Sequence, residues 1–351
     1  MAQYRQSSDL FEFDILKCLR TDYYHNECNE CIKICPQNAF IFDRGKLRLD
    51  ENSCNSCAIC VGVCPSEALS VDFFDPSSYI ISLNNNNVTL SCKKDTPCLS
   101  VFSTQHLISL ALRKDSVKCD LSSCDGCELN RDNNTYNSIL ERIKEANKFL
   151  NETKTDKTIK IEKENIISPR RAIFKKLFKS TKEIMDKGID TKELISQKNR
   201  IPIKNVIFKN SIKKSVDSIK NSNISTNYTF LANKEINFDL CTNCGDCVKF
   251  CPTNALFYSQ DGTSIWFQSG KCIACEICND ICKPKAIKNR ESIDLIEYAF
   301  DRGKELVHHT LEICIECKTP FPYKGGEYIC DRCKKFIDDF GDIFKIASEL
   351  E

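Results

Sequence analysis

Residues 54–65 read CNSCAICVGVCP, which is the spacing C-x2-C-x2-C-x3-C followed by proline. Residues 241–252, CTNCGDCVKFCP, repeat this spacing, and residues 272–284, CIACEICNDICKP, repeat it with one lysine before the proline. Residues 28–36, CNECIKICP, form a fourth copy that lacks the first cysteine. Three thiolates on one tight loop reach one cluster, and a fourth beside a proline points to another, so the spacing predicts paired iron–sulfur clusters. Zinc knuckles or free core thiols are the competing interpretation, and they explain a single copy better than four.

Cysteine is the outlier of the composition, with 25 residues among 351, against 2 Met and 1 Trp. The start of the chain, MAQYRQSSDLFEFDIL, has no apolar signal region, and no run of 18 apolar residues occurs, so we expect a cytoplasmic protein without a transmembrane segment. Cysteines in that compartment stay reduced and usually bind metal. The net charge of +1 gives no reason to expect a nucleic-acid partner.

On these motifs, residues 25–72 and 238–290 each resemble a bacterial two-cluster ferredoxin domain. The resemblance implies an α+β fold, four 4Fe–4S clusters and crossed ligation, in which each motif lends its last cysteine to the other cluster. We also expect two hairpins, at 40–42 with 47–49 and at 256–258 with 265–267. The implied ligand sets are Cys35, Cys54, Cys57 and Cys60; Cys28, Cys31 and Cys64 with a fourth ligand to be found; Cys241, Cys244, Cys247 and Cys282; and Cys251, Cys272, Cys275 and Cys278.

The missing fourth ligand has three candidate solutions. His25 stands where the motif needs its first cysteine, and histidine ligation would raise the potential of that cluster. Cys18 can instead supply a thiolate from further upstream, and a three-cysteine 3Fe–4S cluster is the third option. Counting favours Cys18, because the cysteines then divide into six groups of four with Cys119 left over.

Two further cysteine groups predict weaker metal sites. The first is Cys314, Cys317, Cys330 and Cys333, and the second is Cys92, Cys98, Cys124 and Cys127. The two C-x-x-C pairs near the C-terminus resemble a zinc ribbon, with a rubredoxin-like iron as the alternative. The other group resembles the small iron–sulfur subunit of heterodisulfide-reductase-associated hydrogenases, which implies one 2Fe–2S cluster; a zinc ion, a further 4Fe–4S cluster and plain reduced thiols stay open. We expect that group to lie on a small αβ unit with a helix at 107–112 and a strand near Val117.

The middle of the chain is basic and free of cysteine. Residues 128–235 hold 24 Lys and Arg against 14 Asp and Glu. An amphipathic helix is predicted from Ser168 to Ile184, with basic residues that could face the protein, a partner or an anionic membrane surface. The expected domains are an N-terminal dicluster domain (1–75), an αβ unit (76–135), a basic and partly helical linker (136–235), a second dicluster domain (236–292) and a zinc-ribbon-like module (293–351).

The function predicted from these features is electron transfer by a polyferredoxin. The chain has no G-x-G-x-x-G fingerprint, no P-loop and no acid–base constellation, so we expect no enzyme activity of its own. It would relay electrons for a partner oxidoreductase in anaerobic metabolism, with formate dehydrogenase or another molybdoenzyme as a client by resemblance. A metal-bearing maturation or assembly factor and a redox-sensing regulator are the alternatives.

Overall fold

The computed structural model describes residues 5–8, 10–44, 46–162 and 200–340. These residues form a mixed helix and strand fold built on small sheets, which agrees with the expected α+β class. No helix within these ranges has both the length and the apolar character that crossing a bilayer requires. The basic amphipathic helix predicted from Ser168 to Ile184 lies outside the described residues.

The N-terminal cysteine motifs lie between short strands. The second strand pairs antiparallel with both the first and the fifth. The third and fourth strands form the predicted hairpin, with Phe40 opposite Leu49. The elements are β1 (Arg5–Ser8), β2 (Phe11–Asp14), α1 (Leu19–Asp22), α2 (Glu30–Ile34), β3 (Phe40–Asp43), β4 (Lys46–Leu49) and β5 (Leu69–Val71).

A parallel αβ unit follows, and it contains the predicted helix and strand. Its three strands pair in parallel in the order β6-β7-β8, and the two longer helices connect them. Parallel strands need crossover connections of this kind, and their carboxyl ends meet at one edge of the sheet. The elements are α3 (Pro76–Ser82), β6 (Asn87–Ser91), α4 (Thr104–Arg113), β7 (Ser116–Asp120), α5 (Asn134–Glu152) and β8 (Ile159–Glu162).

The second ferredoxin-like half is built from strand pairs around its two motifs, and the second predicted hairpin is present, with Leu256 opposite Phe267. A small hairpin and a final helix follow it. The elements are α6 (Ile203–Lys214), β9 (Asn223–Ser225), β10 (Lys234–Ile236), α7 (Asp246–Lys249), β11 (Leu256–Tyr258), β12 (Ser264–Gln268), α8 (Ile277–Ile281), β13 (Ile287–Asn289), β14 (Ser292–Asp294), α9 (Leu295–Ala299), β15 (Gly303–His308), β16 (Thr310–Ile313), β17 (Pro320–Tyr323) and α10 (Asp331–Phe340).

One apolar core runs across the domain limits expected from the sequence. It contains side chains of the N-terminal strands, the αβ unit, α6 and α9 together. The described parts of the expected linker at 136–235 are packed into it, because α5 presents Ile139, Ile143 and Phe149 on one buried face. The domain limits themselves stay a prediction.

Helix α6 is the element that holds these parts together. Its first two amides, of Ile203 and Lys204, donate to the carboxylate of Glu67 in the N-terminal half, at 2.6 and 2.9 Å. A carboxylate at a helix N-terminus satisfies unpaired amides and suits the helix dipole. Further along the helix, Lys209 forms a buried ion pair with Asp301, at 2.7 Å.

The middle of α6 is fixed by aromatic packing. Phe208 is fully buried, and its ring centroid lies 5.4 Å from that of Phe149, 5.3 Å from that of Phe230 and 5.7 Å from that of Tyr298. These rings come from four different segments, so their contacts are long-range tertiary contacts rather than local ones. Aromatic pairs at such distances add to the stability that burial alone provides.

We expect Phe208→Ala to destabilise the protein, because it leaves a cavity where four segments meet. Truncation of a buried phenylalanine costs about 3–5 kcal/mol. The measurement is the thermal unfolding midpoint of anaerobic protein, with Tyr24→Ala as the control, since Tyr24 is 73% exposed. Equal midpoints for the two variants would contradict the role given to this aromatic group.

Candidate metal centres

The four cysteines at the ends of the ferredoxin motifs share one turn. In each turn the third residue after the cysteine has a positive φ, of 50–55°, and the amide of the following alanine donates to the cysteine Sγ. The positive-φ residues are Asn38 (52°), Glu67 (51°), Asn254 (51°) and Lys285 (54°). The donor–sulfur distances are 3.4, 3.3, 3.2 and 3.2 Å, at Ala39, Ala68, Ala255 and Ala286. Hydrogen bonds to the sulfur ligands of a cluster help to set its potential.

Four cysteines of the N-terminal half line one small cavity, together with apolar side chains such as Leu47 and Leu69. We call them the N-inner set: Cys18, Cys28, Cys31 and Cys64. Burial raises the pKa of Cys18 to about 11; the amide of Arg20 opposes this rise, and the thiolates of Cys64 and Cys28 add to it. The structure therefore brings Cys18 into the group that the sequence left one ligand short.

His25 lies apart from that cavity, although it occupies the position of the missing cysteine. Its side chain is exposed and packs on the ring of Tyr24, with 3.7 Å between the centroids. It also meets the ring of Tyr23 edge-on, at 5.4 Å. His25 is not among the residues that line the cavity.

The other N-terminal group is the N-outer set: Cys35, Cys54, Cys57 and Cys60. Burial raises the pKa of Cys57 to about 11; the amide of Ile59 lowers it, and the thiolates of Cys35 and Cys54 raise it further. Cys60 is fully buried, and burial raises its pKa well above the usual value, with smaller contributions from Cys57 and from Cys31 of the N-inner set. The two N-terminal sets are thus direct neighbours.

The second half repeats this arrangement. Its C-outer set is Cys241, Cys244, Cys247 and Cys282, and its C-inner set is Cys251, Cys272, Cys275 and Cys278. One cavity is lined by the four cysteines of the C-outer set. In the C-inner set, burial raises the pKa of Cys275 to about 12, and the thiolates of Cys278 and Cys251 add to it. Burial also raises the pKa of Cys247 to about 12, with Cys278 the next cause, so the two sets adjoin.

The four cysteines of the αβ unit also converge, and we call Cys92, Cys98, Cys124 and Cys127 the αβ set. They follow the carboxyl ends of β6 and β7, which is where open parallel sheets bind ligands. Burial raises the pKa of Cys98 to about 12; the Ser100 amide lowers it, and the thiolates of Cys92 and Cys124 raise it. The loops are tied together by Lys93 Nζ, which donates to Ser122 Oγ at 2.6 Å.

The αβ set is packed directly against the N-outer loop. The hydroxyl of Ser100 donates to the carbonyl of Ile59 at 2.8 Å. A Cβ added to Gly62 would lie 2.2 Å from the Ser100 carbonyl oxygen, so the close approach of the two loops requires glycine there. Arg142 holds the same loop by donating to the carbonyls of Ser100 and Phe102, at 2.8 and 2.6 Å.

The C-terminal cysteines form a much tighter group. The Sγ atoms of Cys314, Cys317, Cys330 and Cys333 all lie within 4.8 Å of one another, and Cys317 and Cys330 are 3.7 Å apart. A tetrahedral zinc with bonds of about 2.3 Å separates its sulfurs by about 3.8 Å. Hydrogen bonds from the hydroxyl and amide of Thr319 lower the pKa of Cys317 to about 5, which favours the metal-binding thiolate. The residues present fit a single tetrahedral metal ion.

Sequence reasoning missed two buried lysines that lie beside the inner sets. Lys204 is 3% exposed, and its Nζ donates to the carbonyl of Cys64. Lys234 is 1% exposed, and its Nζ contacts the Glu276 carboxylate at 3.0 Å. Lysine is rarely buried, and neither residue belongs to a motif, so the sequence carries no signal for them.

Comparisons with known proteins agree with the two halves. The sequence model of the 4Fe-4S dicluster domain matches residues 26–68, and that of the 4Fe-4S binding domain matches residues 234–257. A 52-residue stretch is 33% identical to the archaeal-type glutamate synthase [NADPH] of Thermotoga sp. (strain RQ2) and to that of Thermotoga maritima. It covers 15% of this chain and 10% of each synthase, so the chain spans about a tenth of the length of these relatives. The chain contains two ferredoxin-type 4Fe–4S binding domains, which point to an electron-carrier role.

Proposed function

We propose that the protein is an electron relay that holds four 4Fe–4S clusters, one each on the N-outer, N-inner, C-inner and C-outer sets. Cys18 is the fourth ligand of the N-inner set, because it shares the cavity with the other three cysteines and His25 does not. A bound 4Fe–4S cluster accepts and returns single electrons without making or breaking a substrate bond.

The groups around the cysteine sets have three tasks. The thiolates hold the irons, the alanine amides hydrogen-bond to the sulfurs, and the apolar lining limits access of water. Burial and sulfur hydrogen bonds are the means by which a protein adjusts cluster potentials. No substrate site is needed for this activity.

The observation that carries the proposal is the unbroken order of the cysteine sets. The αβ set packs on the N-outer set through Ser100 and Ile59, and the two sets of each half adjoin. The inner sets meet where Cys28 and Cys275 join one apolar cluster. Only two of the 25 cysteines are exposed, Cys92 and Cys244, and they belong to the first and last sets of this order. Electrons would enter and leave at these exposed ends.

The αβ set is proposed to hold a fifth iron–sulfur cluster, 2Fe–2S by resemblance, rather than zinc. Among the residues that the structure describes, no three ligand atoms of this set lie within 4.8 Å of one another, in contrast to the C-terminal group. A single tetrahedral ion needs its sulfurs close together, whereas a cluster spreads them over several irons.

The C-terminal group is proposed to hold a structural zinc. Between residues 310 and 340, the buried side chains are those of Cys314 and Cys330, so the small module has almost no core besides its cysteines. Small modules of this kind depend on a metal for folding. Iron in the same site is the alternative that metal analysis separates.

The proposed partner is an oxidoreductase that lacks its own connection to an electron pool, with formate dehydrogenase or another molybdoenzyme as a client by resemblance. We propose a cytoplasmic location. The basic segment 168–184, which lies outside the described residues, remains a proposed docking element.

The test is to count iron, acid-labile sulfide and zinc on anaerobically purified protein, and to follow reduction by EPR in a stepwise titration. Four clusters predict about 16 Fe and about 16 sulfide per chain, with about 2 more of each if the αβ set binds a 2Fe–2S cluster. One zinc and magnetically interacting reduced clusters are expected. Fewer than about 8 Fe, several zinc ions and no reversible reduction would contradict the relay and favour a metal-bearing assembly factor.

We expect Cys18→Ser to lose iron from the N-inner set, because only three thiolates remain there. The measurement is iron per chain, together with the EPR spectrum of the oxidised protein, in which a three-iron cluster has a distinct signal. His25→Ala is the control, and its iron content should equal that of the unmodified protein. Loss of iron in His25→Ala with none in Cys18→Ser would reverse the assignment.

We expect Cys317→Ser to release one zinc and to leave the iron content unchanged, since the C-terminal group shares no cysteine with the other sets. Protease cleavage within residues 310–340 should become faster, because the module loses its metal. The matched control is Cys119→Ala, which removes a thiol that belongs to none of the sets. Iron lost together with zinc would show that the sites are not independent.

A further inference from the structure

The two ferredoxin-type domains meet at a buried apolar seam. Leu19 of the N-terminal domain packs with Ile273 and Ile277 of the second domain, and all three are 4% exposed or less. The rings of Tyr23 and Phe250 extend the seam, with centroids 6.1 Å apart. A dry environment between redox sites strengthens electrostatic control of their potentials.

Asn26 joins the two domains across this seam. Its Oδ1 accepts a hydrogen bond from the amide of Cys28 at 3.1 Å, and its Nδ2 donates to the carbonyl of Cys275 at 3.4 Å. Asn26 is 5% exposed, and its backbone amide donates to the carbonyl of Tyr23 at 2.8 Å, which fixes the loop. One buried side chain thus connects a cysteine of the N-inner set with a cysteine of the C-inner set.

Each of the two inner sets also has a buried ammonium group nearby. The Lys204 Nζ donates to the carbonyl of Cys64, and the Lys234 Nζ lies among Glu276, Asn279 and Asn289. A fixed positive charge beside a thiolate set favours an added electron there.

We propose that electrons cross between the two domains at this seam, along Cys28, Asn26 and Cys275, with Asn26 as the positioning residue. This inference rests on the relay proposed above. In the step, one electron leaves one inner site, which is oxidised, and enters the facing inner site, which is reduced; no proton or covalent bond is exchanged. Asn26 contributes by fixing the two cysteine backbones against each other.

The experiment injects less than one electron per molecule into the anaerobic full-length protein by pulse radiolysis and follows redistribution by absorbance. Asn26→Leu keeps the side-chain size and removes both hydrogen bonds. We expect the redistribution between domains to become roughly tenfold slower or more, as small misplacements of reacting groups commonly cause. Iron, sulfide and the EPR spectrum of the fully reduced protein are measured on the same samples.

The matched control is Asn147→Leu. Asn147 makes the same pair of bonds away from the seam: its Nδ2 donates to the Ile159 carbonyl at 3.0 Å, and its Oδ1 accepts from the Ile159 amide at 2.8 Å. The redistribution rate of this control should equal that of the unmodified protein. If Asn26→Leu assembles poorly, Asn26→Asp retains the acceptor for Cys28 and removes only the donor to Cys275, and it should also be slower.

The outcomes separate this inference from the relay itself. Slower redistribution in either Asn26 variant with full iron content and an unchanged EPR spectrum supports the crossing. An unchanged rate in both variants overturns the crossing while leaving the relay intact. An unmodified protein without reversible reduction removes the relay, and the crossing with it.

Discussion

The structure depends on bringing four thiols together at each buried site. Burial alone raises the pKa of most of these cysteines, as for Cys18 and Cys275, so the thiolate form is disfavoured in the protein without metal. Positive irons reverse that balance, because ligand thiolates then neutralise a buried charge instead of creating one. Folding around the cysteine sites and cluster binding are therefore expected to be linked equilibria.

The proposed crossed ligation accounts for the same turn at the end of all four motifs. The last cysteine of each motif must leave its own loop and reach the neighbouring set, and the positive φ three residues later turns the chain back so that an alanine amide faces the sulfur. Alanine suits this position because a larger side chain would compete for the same space; Ala39, Ala68, Ala255 and Ala286 are all buried. In the proposed crossed ligation neither motif completes a site alone, so cluster binding would make each domain cooperative.

The ferredoxin-type motifs could be recognised from the sequence, because cysteines three residues apart on one loop form a local pattern. The two hairpins and the αβ elements around residues 104–120 were predictable for the same reason, since turn residues and apolar periodicity act over short distances. The contact of Asn26 with Cys275 joins residues 249 positions apart, and the cap of α6 by Glu67 joins residues 136 apart. No local pattern encodes such pairs, which is why the docking of the two halves and the burial of Lys204 could not be inferred. The packed part of the expected linker escaped prediction because lysine and asparagine on the exposed face of α5 concealed its apolar stripe.

Helix α6 makes long-range contacts with both halves of the protein, and these contacts all restrict movement between the halves. The first amides of the helix donate to Glu67, which follows Cys64 by three residues, and Lys209 further along forms an ion pair with Asp301 in the second half. A rotation of one half about the seam would have to break the buried aromatic packing at Phe208 as well as the Asn26 bridge. Two separate groups of contacts therefore oppose hinge motion, and the proposed relay would benefit from that rigidity because electron transfer is sensitive to the separation of its sites. The basic charge of α6 is partly used inside the protein rather than on its surface, as Lys204 and Lys209 are both buried.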